Sequence, residues 1–187
     1  MISFLKKNWS NILFFGFVAL MLIPQTRMPL QVFVQRLISF SPTETAENDR
    51  KSLQDYEWSL HQLNSEQINF SRSQGNVAIV NFWATWCPPC VAEMPSFQKL
   101  YDKYGQKVDF YFITSEKSDK ISAFMSKNGY SMPIYLQIEE APQQLQSEAL
   151  PTTFVISKKG KIVINEEGAA DWNSKKIQSL LDELLEE

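Results

Sequence analysis

The sequence predicts an α/β domain, a central mixed sheet flanked by helices, carried behind a single N-terminal membrane anchor. Three observations predict it. An unbroken apolar run, Ile12 to Ile23, lies near the N-terminus. Val77 to Trp83 is apolar without alternation, as in a strand buried on both faces, and apolar residues then recur at helical spacing from Pro88 to Tyr104. The elements beyond read β-α-β and close as β-β-α, with a helical segment inserted between the two halves.

The apolar run is preceded by Lys6, Lys7 and Trp9 and stopped by Pro24. Extended from Trp9 to Pro24, with an aromatic and lysines at one interface, it reads as an uncleaved single span. A cleavable signal peptide is the competing reading, but Pro24-Gln25-Thr26-Arg27-Met28 lacks the small residues a signal peptidase needs. Lys6 and Lys7 keep the amino end cytoplasmic, so the domain faces outward. Met28 to Phe40 interleaves apolar residues with Gln31, Gln35 and Arg36, which suits a helix in the membrane interface or a continuation of the anchor. Ser41 to Asp55 is polar and reads as a tether. The expected organisation is therefore 1–40 anchor and interfacial segment, 41–55 polar linker and 56–187 folded domain.

Within the domain, Tyr56 to Leu60 and Gln67 to Phe70 form an N-terminal hairpin around Asn64-Ser65. The strand at Val77 to Trp83 leads into the helix Pro88 to Tyr104, whose first turn tolerates Pro88 and Pro89 and whose end is marked by Gly105. Lys107 to Ser115 is the next strand, and Asp119 to Asn128 a helix stopped at Gly129. Met132 to Ile138 reads as a strand and Ala141 to Glu148 as a helical insertion. Thr152 to Ser157 and Lys161 to Glu166 flank the turn Lys158-Lys159-Gly160, and Asn173 to Leu185 closes the chain as an amphipathic helix.

The chain of 187 residues is 44% hydrophobic and 21% charged, which fits one modest globular domain. Charge is unevenly placed: four basic residues and no acid precede Glu44, and the remainder carries 14 basic against 21 acidic residues. No basic stripe exists, which argues against nucleic acid as a partner.

The only two cysteines are Cys87 and Cys90, in Trp83-Ala84-Thr85-Trp86-Cys87-Pro88-Pro89-Cys90. A C-x-x-C between a buried strand and a helix is the setting for thiol–disulfide exchange. At the helix N-terminus, unpaired N–H groups and the dipole favour the thiolate of Cys87, the nucleophilic form. A zinc site needs four ligands, and His61, which reads as an exposed strand residue, is the only histidine. A structural disulfide across so short a loop would constrain the unfolded chain little. An exported chain with only this pair is better suited to act on the disulfides of others.

The run Val80-Asn81-Phe82-Trp83-Ala84-Thr85-Trp86-Cys87-Pro88-Pro89-Cys90 with Glu93-Met94-Pro95 resembles the membrane-anchored TlpA/ResA-like thiol–disulfide oxidoreductases of the thioredoxin superfamily. Leu150-Pro151-Thr152-Thr153-Phe154-Val155-Ile156 is similar to the cis-proline loop of that superfamily. The resemblance covers about residues 56 to 187. It implies a thioredoxin-like fold in which Cys87 attacks a substrate disulfide and Cys90 resolves the mixed disulfide. Glu93 would be the acid that handles the proton of Cys90, against the plainer reading of a solvated helix glutamate. Asn81 stands where cytosolic thioredoxins carry a buried Asp, so that acceptor is absent here. Pro151 would be cis and would present the backbone of Leu150 to an extended substrate. Trp86 and Pro88 would line the docking surface, with Trp83 in the core.

Pro88-Pro89 lacks the His found between the cysteines of strong periplasmic oxidants, which points to a reductant. The substrates implied are disulfide-containing exported proteins such as apocytochrome c, and re-reduction requires a membrane electron donor. No cofactor and no metal are expected. Two rival readings stand: an oxidase or isomerase, and a copper-binding protein using Cys87 and Cys90 with Met94 or Met132, although those methionines are spaced as core.

Overall fold

The computed structural model of the chain describes residues 8–22, 24–63 and 65–187. Lys6, Lys7, Ile23 and Asn64, named above, lie outside them. Two helices come first, α1 (Trp9–Leu22) and α2 (Pro24–Ile38), the second opening on the proline that ends the apolar run. Among the described residues no helix is long and apolar enough to cross a membrane.

Seven strands then form one mixed sheet: β1 (Ser59–Gln62), β2 (Gln67–Asn69), β3 (Ala78–Phe82), β4 (Asp109–Thr114), β5 (Ile134–Gln137), β6 (Thr152–Ile156) and β7 (Ile162–Glu167), in the order β2-β1-β5-β4-β3-β6-β7. Central β3 and β4 are parallel, as are β4 and β5, joined through α3 (Pro88–Tyr104) and α4 (Ser118–Asn128). The hairpin β1–β2 and the pair β6–β7 are antiparallel, and α5 (Lys175–Glu186) follows β7.

Alternation along the central strands divides the core in two. Ile79, Phe110, Phe112 and Val155 pack with Met94, Phe97 and Leu100 of α3, Ile121 of α4, and Ile177 and Leu181 of α5. Val80, Tyr111, Ile113 and Phe154 pack beneath Trp58, Phe70 and Leu145. Burial on both faces is why β3 is apolar except at Asn81, whose side chain is buried and hydrogen-bonded. Gly129 ends α4 at φ +68, donating to the carbonyls of Met125 and Ser126, so a left-handed residue closes that helix as its sequence predicts.

Two expectations need correction. Ala141 to Glu148 is not a helix but the single 3₁₀ turn Gln143–Leu145. Pro142 precedes the turn, and the Ser147 hydroxyl accepts from Ala149 N–H at 3.1 Å and bonds Thr152 Oγ1 at 2.7 Å, competing with helical hydrogen bonds in a segment too short to propagate. Nor does the polar stretch 41–55 hang free. Thr45 N–H donates to Val163 O at 2.9 Å, Ile162 N–H to Lys51 O at 2.9 Å and Leu53 N–H to Gly160 O at 2.8 Å, pinning it to β7 and the preceding turn.

Candidate active site

β3 delivers the chain to the edge of the core, where Trp83 N–H still donates to Ile113 O at 3.0 Å. The next residues are held by a carboxylate. Glu116 accepts from Thr85 N–H at 2.5 Å and from Thr85 Oγ1 at 2.9 Å, and also pairs with Lys120. Burial pushes Glu116 up, but the hydrogen bonds from Lys120 and Thr85 outweigh it and hold its carboxyl below the usual range. This clamp fixes the turn beneath Trp86, whose side chain is 63% exposed beside the cysteines.

Cys87 is the N-cap of α3, with Pro88 and Pro89 in the first turn. Its sulfur accepts the Cys90 N–H at 3.3 Å, one of the donors that a helix leaves unpaired at its start. Cys87 and Cys90 form a disulfide with Cα atoms 5.3 Å apart. Cys87 is 4% exposed and Cys90 fully buried, so an external sulfur meets Cys87 first.

One turn beyond Cys90 lies Glu93, on the same side of α3. It is 1% exposed, not a solvated helix glutamate. Three donors converge on it: Asn81 Nδ2 at 2.9 Å on Oε1, and Trp172 Nε1 at 3.0 Å and Ala170 N–H at 3.4 Å on Oε2. Asn81 Nδ2 also donates to Thr153 Oγ1 at 2.8 Å. Burial dominates and pushes Glu93 up to about 8; the bonds from Trp172, Asn81 and Ala170 oppose it, and the charge of Glu166 adds to it. A thiol titrates near 8.5, so a carboxyl at this value can exchange a proton with a cysteine at little free-energy difference.

Pro151 precedes β6, whose pairing with β3 sets Thr152 opposite Phe82 and brings this loop beside the cysteine turn. The Leu150–Pro151 bond is cis, and Pro151 O accepts Gly168 N–H at 2.9 Å. Leu150 is half-exposed and lines, with Trp86, Phe82, Ile113 and Glu116, a cavity of about 370 Å³. The structure thus gathers Cys87, Cys90 and Glu93 on one helix and sets Trp86 and Leu150 around one opening. His61 lies on β1, half-buried and apart from this cluster.

A profile of the Redoxin family matches residues 44–183. The chain belongs to the Redoxin family. Among its relatives, the thioredoxin-like protein YneN of Bacillus subtilis is 32% identical over 130 residues, covering 67% of this chain and 75% of YneN. The thiol–disulfide oxidoreductase ResA of Bacillus thuringiensis is 32% identical over 106 residues, covering 54% of this chain; the match spans 60% of ResA. The crystal structure of StoA from Bacillus subtilis superposes with a TM-score of 0.54 at 26% identity, covering 70% of this chain and 96% of StoA. This Redoxin-family chain is therefore a ResA-like member of the thioredoxin superfamily, a thiol–disulfide oxidoreductase of the ResA and StoA type.

Trp172, Thr153 and Glu116 are missing from the sequence-level site. Trp172 lies 79 residues from Glu93 in the loop before α5, and no local spacing connects them. Its role is testable. Trp172→Phe keeps a ring stacked on Phe97, 5.0 Å away, but removes one donor that stabilises the carboxylate. Glu93 should then titrate higher, by about half to one pH unit, read as an upward shift in the pH midpoint of mixed-disulfide resolution.

Proposed function

We propose that this chain is a membrane-anchored reductase of disulfides in exported proteins. The observation that carries the reading is the Cys87–Cys90 pair at the start of α3 with Glu93 buried one turn behind it, poised near the titration range of a thiol. In the reduced protein the Cys87 thiolate attacks one sulfur of a substrate disulfide. That S–S bond breaks as one forms to Cys87, and the departing substrate sulfur takes up a proton. Cys90 then gives its proton to the Glu93 carboxylate and attacks the Cys87 sulfur, freeing the second substrate thiol. Two electrons have passed to the substrate, and the Cys87–Cys90 disulfide remains. A membrane electron donor returns two electrons, with two protons, to restore the dithiol.

Trp86, Pro88, Leu150 and Pro151 form the substrate-docking surface in this reading, with the cavity between Trp86 and Leu150 accepting an apolar side chain near the target cysteine. The organisation is an anchor and interfacial segment over 1–40, a connecting segment over 41–55 held along β7, and the catalytic domain over 56–187. The apolar run behind Lys6 and Lys7 supports a single pass through the cytoplasmic membrane with the domain on the extracytoplasmic side. Paired cysteines of an exported apocytochrome c are the proposed substrate class.

The test mixes the reduced full chain with an oxidised peptide carrying the Cys-x-x-Cys-His pattern of haem attachment. Peptide thiols should appear as the Cys87–Cys90 disulfide forms. An oxidised peptide that stays intact, while the oxidised chain converts reduced peptide to disulfide, would contradict the proposal. In the same assay Trp86→Ala should raise the KM for protein substrates about tenfold and leave exchange with a small disulfide unchanged, because only docking area is lost.

A further inference from the structure

The outer face of α2 has the wrong chemistry for water. Leu30, Phe33, Val34, Leu37 and Ile38 recur at helical spacing, continued by Phe40 beyond the helix end, and Phe33, Leu37 and Phe40 are 60%, 70% and 80% exposed. The opposite side is already occupied. Val32 is buried, and Arg36 Nε donates to Ala92 O of α3 at 3.4 Å. The chain beyond is tied down as well: Asp171 N–H donates to Phe40 O at 2.9 Å and Lys176 Nζ to Pro42 O at 3.2 Å. The helix is therefore packed against the domain with an apolar stripe turned outward.

Charge identifies the occupant. On the outward side of the anchor, residues 24–43 hold Arg27 and Arg36 and no acid, whereas the chain from Glu44 onward has seven more acidic than basic residues. An anionic surface attracts this end and repels the remainder. A second copy would set the same acid-free segment, with its Arg27, against itself with no acid to answer it. The stripe also continues the apolar helix α1, where Trp9, Phe14 and Phe15 are exposed.

We propose that α2 lies in the headgroup layer of an anionic phospholipid membrane, its Phe33–Leu37–Phe40 stripe in the acyl boundary. Arg27, on the same helix and exposed, supplies a charge for the lipid phosphates, while Arg36 holds α2 on α3. The inference rests on the membrane-anchored reading and goes beyond it: the domain is docked on the surface, not suspended from it. Because Ala92 lies two residues beyond Cys90, docking through α2 holds the redox centre close to the bilayer.

The test uses the full chain in phospholipid nanodiscs containing a phosphatidylcholine with a photoactivatable acyl chain, with and without phosphatidylglycerol. Mass spectrometry locates the lipid adducts. Adducts are expected on α1 and also on Phe33, Leu37 or Phe40, the α2 adducts falling when phosphatidylglycerol is omitted. Phe33→Glu combined with Leu37→Glu should lower α2 adducts about tenfold or more. The same pair should leave α1 adducts and exchange with a small disulfide unchanged. Labelling of α1 alone would overturn the docking and spare the anchor, and labelling of neither helix would overturn both. Cross-links between α2 helices of two copies would reassign the stripe to self-association, and α2 labelling insensitive to phosphatidylglycerol would refute the choice of anionic lipid.

Discussion

Cys90→Ser should stop turnover while leaving the first chemical step intact. Cys87 remains the N-cap of α3 and the first sulfur an external disulfide meets, so it still attacks and forms a mixed disulfide. Nothing then resolves that species from within. Steady-state reduction should fall about 10³-fold or more, and the chain should accumulate covalently joined to its substrate, visible as a heavier band under non-reducing electrophoresis. Cys87→Ser should lose turnover to a similar extent without the heavier band, because buried Cys90 is out of reach. If the Cys87 variant trapped substrate instead, the two sulfurs would have to exchange roles.

Glu93 should make both stability and resolution depend on pH, in opposite senses. Its folded pKa of about 8 lies above the ordinary 4.5, so between these values the folded state keeps a proton that the unfolded chain has lost. Stability is fully present below about pH 4.5 and falls as pH rises to about 8, above which no more is lost from this group. At about 1.4 kcal/mol for each tenfold difference in proton affinity, the loss is on the order of 5 kcal/mol. Resolution runs the other way, since the carboxylate is the form that accepts the Cys90 proton, and its rate should climb through about pH 8. Glu93→Gln should flatten the stability profile in urea unfolding across this range. It should also slow resolution about 10²-fold at neutral pH while sparing the attack by Cys87. An unchanged resolution rate would reduce Glu93 to a buried structural residue.

How much of this was legible depends on whether the signal is local. The bounds of α3 could be read from the prolines of its first turn, the apolar spacing to Tyr104 and Gly105 beyond, because capping and periodicity act within a few residues. The Cys87–Cys90 turn and the turn at Gly160 were legible for the same reason. The environment of Glu93 was not. Its neighbours Asn81, Trp172 and Ala170 come from β3 and from the loop after β7, brought together only by the sheet order. Composition misled over 41–55, where polar side chains suggest a tether but the backbone is fixed by long-range hydrogen bonds. The stretch 141–148 failed differently, since Pro142 and Ser147 overrode the helical propensity around them.

The direction of electron flow is the central claim, and the reduction potential of the Cys87–Cys90 pair tests it most directly. The full chain would be equilibrated against graded glutathione or dithiothreitol buffers and its redox state fixed by thiol trapping. A midpoint near that of thioredoxin, about −270 mV or lower, is the predicted result and makes the dithiol a donor of electrons to substrate disulfides. A midpoint near about −120 mV would contradict the account and make the protein a disulfide donor.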